Sequence, residues 1–170
     1  MNKVNPLGGI KLKVFGVLNY EVEDVFRIFM KNVKKDFSDF NEENPIGCKI
    51  KKSIQSVGPK PIECTIEITE YIKNEKYQIT SSTIFSTGAS TCTSTYTFKG
   101  QKDGTTKLAF EETQSTEKFI SYMTVLFQRF MARRNFKAKY NNIIDGLNNE
   151  LKTYFSNIER SKPKNKSVTD

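Results

Sequence analysis

The sequence predicts an α+β fold in which a curved antiparallel sheet of six to seven strands lies against a long C-terminal helix. From residue 48 to residue 113, apolar and polar residues alternate between turn signals, which is the pattern of antiparallel strands with one solvated face. Residues 117–158 contain no Pro and a single Gly, and their apolar residues recur at helical spacing. A shorter helical pattern separates the first strand from the others.

The composition indicates one folded domain over residues 1–158, followed by a disordered basic tail over residues 159–170. The chain has 170 residues, of which 36% are hydrophobic and 12% aromatic, enough for a sizeable core. The tail has four basic residues and only Val168 as an apolar one. No apolar run approaches the roughly 20 residues of a membrane span, and the first residues do not resemble a secretory signal. We therefore expect a cytoplasmic protein.

Charge and reactive side chains narrow the classes of function. The net charge of +8 divides into +4 over residues 1–60, −2 over 61–116 and +6 over 117–170, so both ends favour acidic partners. The absence of His removes the commonest general base and metal ligand. The three cysteines have no disulfide or metal-ligand spacing, and we expect them to be buried free thiols.

Each element has its own local signal. Ile10, Leu12 and Val14 alternate with polar residues and predict a first strand, and Asn19 is expected to cap the helix after it. The hydroxyl-rich stretch 80–97, in which twelve of eighteen residues are Ser or Thr, is interpreted as a hairpin with its threonines on the outside of the sheet. The later strands are predicted at 48–57, 63–72, 76–86, 90–100 and 106–114.

The long helix has an apolar stripe that is interrupted. The stripe is predicted to include Phe119, Met123, Leu126, Phe130, Tyr140, Ile144, Leu147, Leu151, Tyr154 and Ile158. Between its two halves, Arg133 and Lys137 occupy positions where apolar residues are expected. This basic gap indicates either a bend in the helix or a binding site. The C-terminal half either completes the cover of the sheet or meets a partner, such as the second copy in a homodimer.

This order of elements resembles the helix-grip fold of the START, polyketide-cyclase and plant-allergen superfamily (SRPBCC), over roughly residues 10–155. Within it, the chain looks like a bacterial family of unknown function numbered 3284. The segments that carry this resemblance are EVEDVFRIFMKNVKKD, YQITSSTIFSTGASTCTSTYTF, LAFEET and RFMARRNFKAKYNNIIDGL. The resemblance implies a cavity beneath the long helix, but no activity and no catalytic residue come with the family.

One candidate site is an ionic lining of that cavity. Glu111 and Glu112 are neighbours on a strand, so only one of them shares the inner face with Leu108 and Phe110, and by parity it is Glu112. A buried carboxylate needs a partner, and Arg133 or Lys137 could supply it and bind a polar or anionic ligand. Alternatively, both basic side chains reach outward to solvent.

A second candidate site is apolar. Aromatic and Met side chains could line a ligand cavity, or they could fill an ordinary core, and the sequence does not separate the two. Together with the ionic set, the cavity candidates are Tyr96, Phe98, Phe110, Glu112, Met123, Phe127, Phe130, Arg133 and Lys137.

The basic cluster Arg129, Arg133, Arg134, Lys137 and Lys139 could contact nucleic acid or anionic lipid, but it lacks the aromatic and glycine-rich companions of nucleic-acid modules, and a solvated helix face is favoured. No motif indicates a catalytic residue, a cofactor or a metal. The sequence therefore predicts non-enzymatic binding of a small, partly hydrophobic ligand, with protein association through the long helix as the alternative.

Overall fold

Six strands and two helices follow in the predicted order. The computed structural model describes the backbone of residues 10–54, 61–85, 88–116 and 122–161, and the side chains of residues 11–53, 61–84, 89–115 and 135–160. The elements are β1 (Ile10–Leu18), α1 (Val22–Asp36), β2 (Lys49–Ile54), β3 (Ile62–Ile72), β4 (Lys76–Phe85), β5 (Gly88–Gly100), β6 (Thr106–Thr116) and α2 (Tyr122–Ser161).

The strands form one antiparallel sheet in the order β1-β6-β5-β4-β3-β2. Each strand from β2 to β6 pairs with the next along the chain, whereas β1 joins at the far edge beside β6. The segment containing α1 therefore carries the chain from one edge of the sheet to the other. Positive φ angles at Asn74 and Gly104 allow the tight turns after β3 and β5, and a bulge between Ile68 and Glu70 shifts the register of β3 against β4.

The two faces of the sheet differ as the alternation predicts. On β6, Leu108, Phe110 and Glu112 are buried on the inner face, while Glu111 on the outer face binds Lys11 and Lys13 of β1 at 2.9 and 3.7 Å. The outer threonines and Gln78 bond to one another across β3, β4 and β5, as in the pairs Thr69–Thr80, Thr80–Thr93 and Gln78–Thr95. The hydroxyl-rich segment is therefore the solvent side of a folded sheet.

Helix α1 packs its apolar face on the sheet, but its predicted cap is wrong. The N-cap residue is Glu21, which makes no side-chain capping bond, and Asn19 lies two residues before it. Tyr20 is instead fixed by its carbonyl, which accepts a hydrogen bond from the buried Thr106 hydroxyl at 2.7 Å. The helix ends at Asp36. Its buried residues are Val25, Phe26, Ile28, Phe29, Met30 and Val33.

The predicted gap in the apolar stripe of α2 is closed by Phe136, which the sequence interpretation overlooked. Phe136 is buried and stacks on Phe110 with ring centroids 4.9 Å apart, one turn before the buried Tyr140. Lys137, by contrast, is exposed. Helical spacing does not distinguish position 136 from 137 when both neighbours 133 and 140 are plausible members of the stripe. The interpretation of Lys137 as an inward-facing residue is therefore corrected.

The C-terminal half of α2 is covered by its own chain. Tyr140, Leu147 and Leu151 are buried in the core with α1 and the sheet, and Phe155 stacks on Tyr20 with centroids 5.4 Å apart. Of the two expectations for this half, the structure thus shows the one in which it completes the cover of the sheet. The helix continues to Ser161 and so includes the first three residues of the predicted tail. Predictions for residues 117–121 and 162–170 lie outside the described residues.

Candidate functional site

A cavity of about 360 Å³ lies between the two helices and the sheet. Its floor is the inner face of β4 and β5, its first wall is the sheet-facing side of α1, and its second wall is a face of α2 between residues 142 and 150. A volume of this size is at the lower end of the range for small-molecule sites. The apolar and aromatic side chains that line it are Phe29, Val33, Phe37, Tyr77, Ile79, Tyr96, Ile143 and Leu147.

The α2 wall of the cavity carries no side chain at Gly146, which is exposed. A Cβ atom added there would meet no atom within 4 Å. Ile143, about one turn before Gly146, and Leu147, the next residue, pack toward the sheet and α1. Glycine weakens a helix, so its presence inside a 40-residue helix is conformationally unfavourable and leaves space that alanine or leucine would occupy.

The polar groups at the cavity are concentrated on the two helices. Asn32 of α1 donates its amide N–H to Glu150 Oε1 at 2.7 Å, which joins the two helices across the cavity. The Lys35 ammonium in turn donates to Asn32 Oδ1 at 2.9 Å. Asp36 lies on the same wall and pairs with Lys52 at 3.3 Å, and Asn142 completes the polar set. The cavity is thus lined mainly by apolar and aromatic side chains, and its charged and amide groups lie on the two helical walls.

The two tyrosines of the floor are neutral phenols at physiological pH. Burial is the main cause that raises the pKa of the Tyr77 hydroxyl, and neighbouring Tyr96, Asp36 and Cys48 add to it. Burial also raises the pKa of Tyr96, with smaller contributions from Glu112 and Cys92. Neither hydroxyl is therefore available as a base near neutral pH, and both can only donate or accept hydrogen bonds.

Beyond Tyr96 on the same face of the sheet lies a polar cluster around Glu112. The Glu112 side chain is buried, as the parity argument predicted, but its ionic partner is Lys139, at 2.7 Å. Gln114 donates to the other carboxylate oxygen at 3.2 Å. Of the two alternatives for Lys137, the structure shows the exposed one, and Lys139 takes the place beside Glu112 with its ammonium over the Phe110 ring. The carboxylate is satisfied by the protein itself.

Cys92 borders this cluster and is not an activated nucleophile. Burial is the first cause that raises the pKa of its thiol, to about 11, and the charge and hydrogen bond of Glu112 act in the same direction, while Lys139 and Ser94 oppose them. A thiol that stays protonated at neutral pH reacts slowly. All three cysteines are free, Cys64 buried and the other two half-buried. Within the described ranges, no three His, Cys, Asp or Glu side chains gather as metal ligands.

The structure places the predicted cavity residues in four different settings. Tyr96 lines the cavity, whereas Phe98 and Phe110 are buried in the packed aromatic core beside it. Glu112 lies in the polar cluster, and Lys137 is exposed. The side chains of four further candidates lie outside the described residues: Met123, Phe127, Phe130 and Arg133.

Sequence reasoning missed the residues that make the site distinctive, namely Asn32, Asn142, Gly146 and Glu150. Their signal was present: Asn32 interrupts the apolar face of α1 beside Phe29 and Val33, and Glu150 interrupts that of α2 beside Leu147 and Leu151. Gly146 is the single glycine of residues 117–158, a position where a helix interior ordinarily carries a side chain. A polar residue or a glycine within an apolar helical face is typical of a wall that is not fully packed.

Comparisons with known proteins support the fold. A family model described as a domain of unknown function (DUF3284) matches residues 12–133. No curated protein shows a significant match to the sequence. Among the described helices, none is long and apolar enough to cross a membrane.

Similar solved structures include SA2116 from Staphylococcus aureus, a protein of unknown function, with a TM-score of 0.60, 10% identity and coverage of 89% of this chain and 98% of that one. A conserved protein from Geobacillus kaustophilus has a TM-score of 0.58 and 15% identity, with coverage of 85% of this chain and 96% of that one. The structure of Ara h 8.0201 has a TM-score of 0.57 and 12% identity, with coverage of 86% of this chain and 99% of that one. These similarities confirm the predicted helix-grip fold, and at such identities they carry the fold alone.

Proposed function

Because the chain belongs to the DUF3284 family, whose description assigns no function, we propose a function from the cavity: non-enzymatic binding of a small, partly hydrophobic ligand between the sheet and the two helices. The observation that carries the proposal is a cavity lined mainly by apolar and aromatic side chains, with its charged and amide groups on the two helices. Such a surface buries the apolar part of a ligand and orients it through a few hydrogen bonds.

The chemistry of the walls favours binding over catalysis. The cavity tyrosines are neutral, Asp36 is paired with Lys52, and the nearby Cys92 is a protonated thiol. A catalytic acid or base needs a pKa near the working pH and a geometry that reaches a reacting atom. The described walls offer hydrogen-bond donors and acceptors without such a pair.

Gly146 provides the test. Gly146→Leu should place a side chain in the cavity and abolish binding, while Gly146→Ala adds only one carbon and should retain it. Both substitutions remove a helix-interior glycine, so both should stabilise the fold, Gly146→Ala by about 0.5–1 kcal/mol. Binding is measured with the neutral fluorescent probe N-phenyl-1-naphthylamine, and stability by thermal unfolding.

Native mass spectrometry of the purified protein adds an independent measurement, since a retained small molecule should be present in the wild type and in Gly146→Ala and absent in Gly146→Leu. Equal probe binding by all three proteins would place the probe elsewhere and contradict the proposal. A well-folded wild type that binds neither probe nor retained ligand would contradict it as well.

A further inference from the structure

The charge at the cavity is opposite to that of the molecule. The chain has a formal net charge of +8, yet the charged residues among the described lining of the cavity are Asp36 and Glu150, both acidic. Asp36 is compensated by Lys52 at 3.3 Å. Glu150 differs, because within the described ranges no Lys or Arg nitrogen lies within 4 Å of its carboxylate, and its described partner is the amide of Asn32 at 2.7 Å.

The surroundings of Glu150 hold its charge in place without neutralising it. The Lys35 ammonium is connected to Glu150 only through Asn32 among the described residues. It donates to Asn32 Oδ1 at 2.9 Å, and the Asn32 N–H donates to Glu150 Oε1. The carboxylate is half-buried on the cavity wall, one turn after the open position at Gly146. Partial burial of an anion is unfavourable unless a cation or further donors approach it. No hydrogen bond from a described residue reaches its second oxygen, Oε2, which would face such a group.

The floor of the cavity suits the rest of the same ligand. Phe29, Tyr77 and Tyr96 present aromatic rings that contact one another at centroid distances of 4.9 to 6.1 Å. Ring faces attract ammonium groups as well as alkyl chains, and the raised pKa values of both tyrosines keep these rings uncharged. The Glu150 carboxylate on the α2 wall would repel an anionic head group and attract a cationic one.

From this combination we propose that the cavity takes an amphipathic organic cation, with a protonated amine beside Glu150 and an apolar body over Tyr77, Ile79 and Tyr96. This inference rests on the proposed function and specifies its ligand class. It runs against the sign of the whole molecule, whose net charge attracts anions through long-range forces. A preference for cations is therefore evidence for the local wall and not for overall charge.

The test compares three compounds with the same chain, octylammonium, octanol and octanoate, as competitors of N-phenyl-1-naphthylamine on the full-length protein. We expect octylammonium to bind about fivefold to tenfold more tightly than octanol, the size of one partly exposed ion pair, and octanoate to bind most weakly. In Glu150→Gln, octylammonium should lose this advantage, while the amide oxygen can still accept the hydrogen bond from Asn32.

Glu159→Gln is the matched control, because it makes the same charge change on an exposed position of the same helix and should leave the preference unchanged. If the three compounds compete equally in the wild type, the inference is overturned while the proposed function stands. An undiminished preference for octylammonium in Glu150→Gln also overturns it. If neither the probe nor any octyl compound binds, the proposed function fails, and the inference fails with it.

Discussion

The inner side of the sheet has a packed region and a hollow region, and the two are built from similar residues. In the packed region, the ring centroids of Phe26 of α1 and Phe98 are 5.1 Å apart. Leu18, Val25 and Leu108 are fully buried there. In the hollow region, the aromatic and aliphatic side chains of β4 and β5 face α2 across a cavity with a volume of about 360 Å³.

Apolar content therefore does not decide where this domain is hollow. Position 146 has no side chain, Asn142 is exposed and Glu150 turns to Asn32 of α1. The next residue, Leu151, is fully buried. A few side chains on one helix thus separate a packed core from a cavity. The reason is close packing: the side chains around the cavity are already held in place by their own contacts, so they do not move to fill the space of one missing large side chain.

The largest expected effect comes from a matched pair of leucines on α2. Leu151→Ala creates a new void in the packed region and should destabilise the fold by about 4 kcal/mol, whereas Leu147→Ala enlarges an existing cavity and should cost about 2 kcal/mol. Urea unfolding measures both. Equal losses would show that the region at Leu147 is packed as tightly as the region at Leu151.

A smaller effect concerns the clamp that fixes α2 beside the boundary of the two regions. The Tyr140 hydroxyl donates a hydrogen bond to the Leu108 carbonyl at 3.1 Å. A Cβ atom added to Gly16 would lie only 2.6 Å from this hydroxyl oxygen. Gly16→Ala should therefore cost about 1–3 kcal/mol. In the Tyr140→Phe background, the nearest remaining ring atom is 3.5 Å away, and the same substitution should cost less.

A double-mutant cycle by chemical denaturation measures this coupling, expected at about 0.5–3 kcal/mol. Tyr140→Phe alone should also destabilise the fold, because it leaves the Leu108 carbonyl without this donor. Strictly additive losses would mean that the helix moves away from β1 easily and that the clamp does not set the boundary.

The smallest effect is a change of slope with pH. The pKa of Tyr77 is raised in the folded state, mainly by burial, so its contribution to stability is complete below the ordinary tyrosine pKa of about 10 and is lost as the pH rises beyond it. Tyr77→Phe should therefore make the alkaline loss of stability shallower, by at most about 1.4 kcal/mol per pH unit.

Unfolding free energies between pH 9 and pH 12, together with tyrosinate absorbance, provide the measurement. Tyr140 is the comparison within the packed region, since burial raises its pKa to about 12. If Tyr77→Phe leaves the alkaline slope unchanged, the floor of the cavity is more hydrated than its geometry indicates.

The candidate site was predictable in part. Parity along β6 placed Glu112 on the inner face, and alternation placed Tyr96 there, because a strand has only two sides. The partner of Glu112 was not predictable with the same certainty. Arg133, Lys137 and Lys139 are all basic, and a choice among them needs the rotation of α2 against the sheet, which Phe136 and Tyr140 set by packing.

A resemblance to known domains indicated the helix-grip fold and the family. The sequence by itself determined the order of elements and the two faces of the sheet. These depend on periods of two and about 3.6 residues and on turn residues, which are local properties of the chain. Only the tertiary structure decided that Lys139 pairs with Glu112, that Phe136 closes the stripe, and that Asn32 and Glu150 meet beside an open Gly146. Those outcomes depend on distances between residues as much as 118 positions apart, and packing fixes them once both helices lie on the sheet.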